Sequence, residues 1–290
     1  MENFALILLA ILIGYVISRL NIFSKDAPTI LNQFVIYISL PAMILLQVPK
    51  LSFSIDMVIP IVIAWSVMIL SAILILLLSR FFSFSREITG CLMLVSILTN
   101  SSFLGIPIIN AYMGESALAY VLVYDQLGTF IASYYSNKTQ LTFKIITLKV
   151  FTFPPVIALI TSLFLIGVEF NPIISKVLNS FASTIVPVAL VAVGLQLKLK
   201  LPKEDLKPFS VALSVKLIIA PIIAIGISSL FNWNNQASIV SIMEAGMAPM
   251  ITAGAIASMA GLAPRLSSAI VGYGILISFI TTGVLFKVIS

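Results

Sequence analysis

The stretch TNSSFLGIPIIN, residues 99–110, sets polar residues, a glycine and a proline in the middle of an apolar run. No charged residue occurs from Ile88 to Gly114, so the run is long and apolar enough for a membrane-crossing helix. Proline is the least favourable residue in a helix interior, because it cannot donate an amide hydrogen bond and clashes with the preceding turn. The stretch therefore predicts a membrane helix that opens at Pro107.

The composition predicts an integral membrane protein. The chain has 290 residues, of which 60% are hydrophobic and 9% are charged, whereas a soluble domain carries about 25% charged residues. There is no histidine, and Cys91 is the single cysteine. Imidazole catalysis, an internal disulfide and cysteine-based zinc sites are therefore excluded. Most basic residues lie in short loops and form no patch, so no nucleic-acid partner is expected. No cofactor is expected either.

Ten apolar segments are predicted, each near the ~20 residues that a bilayer requires. They span residues 4–20, 29–48, 56–79, 88–112, 116–136, 145–167, 178–197, 207–231, 236–260 and 265–287. The connectors are too short for a soluble domain. We therefore expect an all-α, multi-pass protein with ten transmembrane helices.

Orientation follows from the loop charges, because Lys and Arg favour the cytoplasmic side. The connectors after odd-numbered segments hold twelve of the sixteen basic residues, and the opposite side holds three. This distribution predicts a protein of the plasma (inner) membrane with both termini outside. The twelve are Arg19, Lys25, Arg80, Arg86, Lys138, Lys144, Lys149, Lys198, Lys200, Lys203, Lys207 and Arg265, and the three are Lys50, Lys176 and Lys287.

Two pairs of proline motifs predict an internal repeat. Pro41 in ISLPAMIL and Pro187 in TIVPVALV are 146 residues apart, and Pro107 and Pro249 are 142 residues apart. A repeat of five segments must enter the membrane the opposite way the second time. The prediction is two inverted repeats, segments 1–5 in residues 1–140 and segments 6–10 in residues 141–290, the architecture of many secondary transporters.

Segment 9 carries a counterpart of the opening stretch in EAGMAPMITAG, residues 244–254. Opened backbone at mid-membrane depth is tolerated only where it is buried in protein or lines a cavity. We therefore expect broken segments 4 and 9 to cross at the midplane, with half-helix N-termini facing a bound anion. The alternative is that each proline only kinks a helix. The predicted substrate-binding residues are Asn100, Ser101, Gly105, Ile106, Pro107, Met247, Ala248 and Pro249.

Three charged residues fall near mid-membrane: Asp125, Lys216 and Glu244. Each should face the protein interior and have a partner, because a lipid-facing charge costs several kcal/mol. Asp125 and Lys216 could form an ion pair that only fixes helix packing. The three charges sum to minus one, so one carboxylate needs a proton or a metal cation. Glu244, shortly before Pro249, is the carboxylate predicted to take that proton or cation, and Asp125 and Lys216 are the other predicted ion-coupling residues.

Four stretches then follow one another along the chain: IGYVISRLNIFSKDAPTILNQFVIYISLPAMIL (13–45), NSSFLGIPI (100–108), ALVAVGLQLKL (189–199) and EAGMAPMITAGAIA (244–257). This ordered set resembles the auxin efflux carrier family, including its prokaryotic members, over essentially the whole chain. The resemblance implies the fold shared with bile acid/sodium symporters. In that fold helices 1, 2, 6 and 7 form a scaffold (panel) domain, and helices 3–5 and 8–10 form a transport (core) domain.

The resemblance also implies a substrate class and an ion. Family members carry small organic anions, which suggests that Asn100 and the opened backbone around Pro107 and Pro249 hold a carboxylate. EAGM and TN are similar to sodium-ligating stretches of the symporters, which implies a Na⁺ site near Glu244, Thr99 and Asn100. The coupling ion is left open between H⁺ and Na⁺.

The leading hypothesis is a secondary active transporter of a small carboxylate, working by elevator-type alternating access. The second is an uncoupled facilitator or channel-like pore for small organic solutes. An intramembrane enzyme is disfavoured, because Ser214 and Lys216, at i and i+2, point to different faces of a helix. The expected partners are the organic anion and the lipid bilayer, with a homodimer as an alternative to a monomer.

Overall fold

The computed structural model describes residues 2–20, 22–24, 26–50, 55–125, 153–197, 199 and 203–290. The regular secondary structure in these ranges is helical, with turns and short loops between the helices, and its one β-type feature is an isolated two-residue bridge. Most of predicted segment 5, the start of segment 6 and the cytoplasmic loop between them lie outside the described residues. The topology prediction for that loop therefore stays a prediction.

Among the described residues, five helical spans are long and apolar enough to cross a membrane. They correspond to predicted segments 2, 3, 7, 8 and 10, and shorter apolar helices occur at Leu6–Leu20 and Pro154–Phe164. The five are Ala27–Lys50, Val58–Phe81, Pro172–Gln196, Lys203–Leu230 and Pro264–Ile289.

The chain divides into two compact units, and unit 1 takes its described residues from 2–50, 102–122 and 153–197. Its helices are α1 (Glu2–Leu20), α2 (Ala27–Phe34), α3 (Leu40–Gln47), α6 (Ile106–Met113), α8 (Pro154–Phe164), α9 (Pro172–Ala182) and α10 (Ile185–Gln196). Helix α7 (118–125) is divided, with residues 118–122 in unit 1 and its last three residues in unit 2.

Helices α1 and α10 approach each other unusually closely within unit 1. A Cβ atom on Gly14 would lie 2.3 Å from the Val191 carbonyl oxygen, and one on Gly194 would lie 2.2 Å from the Ile11 carbonyl oxygen. Small residues let membrane helices pack backbone to backbone. Elsewhere in unit 1, the Ser39 hydroxyl lies 2.7 Å from that of Thr184, which joins the two proline motifs that predicted the first repeat pair.

Unit 2 takes its described residues from 55–101, 123–125, 199 and 203–290. Its helices are α4 (Val58–Phe81), α5 (Arg86–Val95), the last residues of α7, α11 (Leu206–Ser214), α12 (Ala220–Leu230), α13 (Gln236–Ala245), α14 (Ile251–Met259) and α15 (Pro264–Ile289).

Polar contacts fasten the start of α13 to its neighbours in unit 2. Asn235 caps α13 by accepting from the Ser238 amide at 3.1 Å, and its side-chain amide donates to Asp56 at 2.6 Å. The Ser228 and Ser238 hydroxyls lie 2.6 Å apart at a buried position. A side-chain cap satisfies backbone donors that a helix start otherwise leaves without partners.

In the described part of the chain, three π-helical turns each end two residues before a proline. The turns are Val35–Ser39, Ser101–Gly105 and Val215–Ile219, and the prolines are Pro41, Pro107 and Pro221. A proline cannot donate to the carbonyl four residues earlier and clashes with it. In each case that carbonyl belongs to the central residue of the π turn, where the wider turn relieves the conflict.

The prediction that segment 4 opens at Pro107 is wrong. The helical path is continuous from residue 101 to Met113, with Pro107 in the first turn of α6. The interruption lies earlier, at 96–100. The π turn absorbs the proline, so the ring does not break the helix at its own position.

Candidate functional site

Two helix interruptions in unit 2 form the centre of the candidate site. The first follows the end of α5 and covers residues 96–100, and the second separates α13 from α14 and covers residues 246–250. Each exposes backbone amides and carbonyls that a continuous helix would satisfy internally. At a buried position those groups need partners from another element.

The two interruptions satisfy part of each other's backbone. The Asn100 amide donates to the Ala248 carbonyl at 3.0 Å, and the Met250 amide donates to the Leu98 carbonyl at 3.1 Å. These bonds form an antiparallel bridge, so extended strand-like backbone replaces helix where the segments meet. Non-helical backbone of this kind persists at membrane depth only when it is buried in protein or lines a cavity.

Pro249 fixes the second interruption against α15. Its ring packs on Gly274, where an added Cβ would come within 2.5 Å of the proline Cδ. A Cβ on Gly246, at the end of α13, would lie 2.9 Å from the end of the Leu285 side chain and 3.5 Å from the Pro221 ring. Gly274 is the tighter position, because the rigid Pro249 ring leaves no room for a side chain there.

Lys216 links the two interruptions from the π turn between α11 and α12. Its side chain is 1% exposed, and Nζ donates to Thr99 Oγ1 at 2.6 Å and to the Ala245 carbonyl at 3.2 Å. The carbonyls before Ala245 accept from the backbone amides of Gly246 and Met247. The ammonium group therefore caps the last carbonyl of α13, at the negative end of its helix dipole.

Glu244 is the most deeply buried acid among the described residues, with 0% of its surface exposed. In this part of the chain neither of its carboxylate oxygens has a hydrogen-bond partner. The Ser101 hydroxyl lies beside the carboxylate without meeting hydrogen-bond geometry, and Lys216 and Asp125 act on it through space. A buried carboxylate is stable only when it is protonated or faces a cation.

Asn100 adds a second group of unsatisfied atoms next to the bridge. Its side chain is 1% exposed, and neither its amide nitrogen nor its amide oxygen has a partner among the residues that the structure describes. The buried Ser101 hydroxyl is in the same situation. Such groups cost about 1–3 kcal/mol each when left unpaired, and a ligand that paired with them would remove that cost.

A small recess adjoins the first interruption within unit 2. Its polar wall comprises Thr99, Ser101, Tyr124 and Asp125. Its apolar wall comprises Ala64, Val67, Met68, Ile97 and Leu98. Asp125 is 7% exposed and has interactions of its own, so it borders the recess as a partnered group.

The structure thus brings most of the predicted site residues together in unit 2. Met247 and Ala248 are fully buried in the second interruption. The predicted residues Gly105, Ile106 and Pro107 belong to unit 1, where they end a π turn and begin α6.

Sequence reasoning missed several contributors to the site. It missed Tyr124, whose position directly before Asp125 was the only signal, and the backbone carbonyl of Ala245. It also missed the paired amide and carbonyl of Met250 and Leu98. Main-chain partners leave no residue-type signature, so no sequence pattern could have identified them.

Long apolar helices combined with two interrupted helices and buried charges are typical of membrane transporters. The family model described as "Membrane transport protein" matches residues 1–138 and 136–286. The chain therefore belongs to this auxin efflux carrier-type membrane transport family, and the resemblance found in the sequence is confirmed.

Two archaeal relatives carry the name "uncharacterized transporter". The one from Methanocaldococcus jannaschii is 30% identical over 261 residues, which cover 85% of each chain. The one from Methanothermobacter thermautotrophicus is 25% identical over 272 residues, which cover 88% of this chain and 87% of the relative. The protein is a multi-pass membrane transporter.

Proposed function

We propose that this transporter is a secondary active carrier of a small organic anion, which binds at the paired interruptions and moves together with a proton. The carrier works by elevator-type alternating access in the inner membrane, with both termini outside. Its ten helices form two inverted repeats, and it works as a monomer or a homodimer. The following observations support these proposals.

The single observation that carries the anion site is the unsatisfied Asn100 amide beside the bridge. Its Nδ2 can donate to a carboxylate, and Ser101 offers a second hydroxyl donor. Helix α14 begins at Ile251 without a side-chain cap, so its first amides present partial positive charge near the same bridge. A small carboxylate is the ligand chemistry that these donors suit best.

The elevator proposal draws support from the composition of unit 2. Both interruptions, the bridge between them and the buried Asp125, Lys216 and Glu244 all belong to this one compact unit. A carrier whose site lies wholly in one unit can move the site as a body. The predicted transport domain, helices 3–5 and 8–10, is the part that we propose to move. It shares most of its residues with unit 2, whereas residues 102–122 of helices 4 and 5 fall in unit 1.

The contacts of Lys216 favour a proton over Na⁺ as the coupling ion. The Na⁺ site implied by the resemblance needs oxygens near Glu244, Thr99 and Asn100. Thr99 Oγ1 and the neighbouring Ala245 carbonyl already accept from the lysine ammonium. With these two oxygens engaged by the lysine, we propose that Glu244 is neutralised by protonation rather than by Na⁺.

Uncoupled facilitation is the second candidate function, and the burial of Glu244 weighs against it. A pore without coupling gains nothing from a fully buried carboxylate that costs several kcal/mol when it is ionised and unpaired. A carrier that binds and releases a proton needs such a group.

The test is uptake of radiolabelled succinate, malate and indole-3-acetate into proteoliposomes under imposed gradients. An inward proton gradient should drive accumulation of at least one of these probes above its equilibrium level, and a sodium gradient at equal pH should not. Accumulation driven by sodium alone would identify Na⁺ as the coupling ion. Equilibration without accumulation under either gradient would identify a facilitator. No protein-dependent flux of any probe would count against the carboxylate class.

A further inference from the structure

Lys216 reaches the two interruptions from an unusual place, the second residue of a π-helical turn. The turn closes through an i to i−5 hydrogen bond, in which the Ala220 amide donates to the Val215 carbonyl. In a regular helix, the amide of residue 221 would donate to the Leu217 carbonyl. Residue 221 is proline, so that bond cannot form, and the ring would clash with the same carbonyl.

We propose that Pro221 is the positioning residue for Lys216. By excluding the regular helical bond to Leu217 it holds the π turn, and the π turn directs the lysine Nζ to Thr99 and to the Ala245 carbonyl. The inference rests on the proposed function in one respect, since it gives the lysine contact a role in transport. The contact itself is a property of unit 2 and can be measured without a substrate.

The geometry of helices explains why the turn matters. A π turn holds about one residue more than an α turn, and one residue corresponds to about 100° of rotation around the axis. Converting the turn to regular α-helix would rotate the preceding helix relative to α12 by about that angle. Because Lys216 lies near the beginning of the turn, that rotation would change the direction in which its side chain leaves the helix relative to α12, and with it the approach of Nζ to Thr99 and to the Ala245 carbonyl.

A second contact supports the assignment. The Pro221 ring lies against Gly246, where an added Cβ would be 3.5 Å from the proline Cβ and Cγ. Gly246 directly follows Ala245, whose carbonyl is one of the two acceptors of the lysine. The same proline therefore shapes the turn that carries the donor and packs beside the acceptor.

The experiment is a double-mutant cycle between Lys216→Met and Thr99→Val, measured as thermal unfolding of the purified full-length protein in detergent. The cycle is run in three backgrounds: wild type, Pro221→Ala and Pro41→Ala. Pro41→Ala is the matched control, because it removes the same proline after a π turn in unit 1. The non-additivity of the two substitutions measures the interaction between the two side chains. A general loss of stability in one background does not by itself change that non-additivity.

We expect non-additivity of roughly 2–4 °C, equivalent to about 1 kcal/mol, in wild type and in Pro41→Ala. It should fall to zero in Pro221→Ala. The same non-additivity in Pro221→Ala would overturn the proposal, as would additive effects in wild type. If Pro221→Ala does not yield folded protein, Pro221→Ser takes its place with the same two readings. Transport is measured separately. If uptake fails while the non-additivity is present in wild type and absent in Pro221→Ala, the proposed function is rejected and the positioning role of Pro221 stands.

Discussion

The two helix interruptions in unit 2 contribute different kinds of chemical group. The first, at 96–100, contributes the Thr99 and Asn100 side chains, and Ser101 follows at once. The second, at 246–250, contributes mainly backbone and is fixed by Pro249 packed on Gly274. One interruption is therefore chemically adjustable by substitution, and the other is a rigid main-chain frame preceded by the carboxylate of Glu244.

This difference suggests that the two interruptions have different roles. The side chains of the first can be exchanged to suit a substrate without disturbing the bridge, because the bridge uses backbone atoms only. The second cannot change its backbone path without displacing Pro249, and it holds the acid that we propose for coupling. Substitutions in the first should alter affinity, and substitutions around the second should alter coupling or stability.

The largest effect is expected for Glu244→Gln, just before the second interruption. Glutamine keeps the shape and hydrogen-bonding capacity of the protonated acid but cannot release a proton. Gradient-driven accumulation of a transported probe should be abolished, while probe exchange across the membrane at equal pH continues. The measurement is uptake of the best probe among succinate, malate and indole-3-acetate, with and without a proton gradient.

The control for this prediction is Glu169→Gln, which changes an exposed acid in unit 1 and should leave accumulation unchanged. Wild-type accumulation by Glu244→Gln under the same gradient would remove Glu244 from the coupling mechanism. It would also erase the functional difference drawn between the interruptions.

An effect of intermediate size is expected for Asn100→Ala in the first interruption. The change removes the unsatisfied donor and leaves the backbone bond from residue 100 to Ala248 in place. Apparent affinity for the transported carboxylate should fall by about 5- to 150-fold, which corresponds to roughly 1–3 kcal/mol for a buried partner left unpaired. Thermal stability should be unchanged or slightly improved.

The readout is the substrate concentration at half-maximal uptake, with Asn179→Ala on the exposed side of α9 as the control. Unchanged half-saturation together with reduced stability would assign Asn100 to structure. That result would reject the proposal that side chains of the first interruption set substrate affinity.

The contrast between the interruptions also explains how far the sequence could predict this molecule. Prolines located the second interruption well, because Pro249 lies inside it. They misplaced the first, because the π turn at 101–105 accommodates Pro107 within a helix. Hydrophobic runs predicted the long spans such as Val58–Phe81, since length and apolarity alone decide them.

The polar residues within those runs identified Asn100, Lys216 and Glu244 as candidates, because each is costly to bury without a purpose. The pairing of Lys216 with Thr99 and a backbone carbonyl was beyond sequence reasoning. It depends on the extra residue in the π turn Val215–Ile219, which rotates the lysine around the helix axis, and on a main-chain carbonyl, a group that every residue has. The alternative that Lys216 pairs with Asp125 stays a prediction, since Asp125 has interactions of its own.

A smaller effect, on stability alone, should follow from Gly274→Ala beside the second interruption. The new Cβ would meet the rigid Pro249 ring at 2.5 Å, an overpacking that costs about 1–3 kcal/mol. Gly226→Ala on α12, where nothing lies within 4 Å of the new Cβ, is the control. It should be neutral or stabilising, because alanine favours helix over glycine.

The double variant Gly274→Ala/Pro249→Ala tests whether the loss of stability comes from contact with the proline ring. Thermal unfolding is measured in detergent for both single variants and for the double variant. Removing the ring makes room for the Cβ, so the double variant should be more stable than the sum of the single effects predicts. Strictly additive losses would show that Pro249 does not brace the second interruption against α15.

The smallest effect is expected for Ser96→Ala, at the start of the first interruption. The Ser96 hydroxyl is buried and has no hydrogen-bond partner among the described residues, so replacing it removes an unsatisfied group and should be neutral or slightly stabilising. Ser241→Ala on α13 is the matched comparison, because the Ser241 hydroxyl donates to the Ala237 carbonyl at 2.6 Å. It should cost about 0.5–1 kcal/mol. Thermal unfolding and uptake are measured for both variants. A loss of uptake in Ser96→Ala at unchanged stability would extend the adjustable site from Thr99 back to Ser96 and would make the first interruption a longer binding surface than the second.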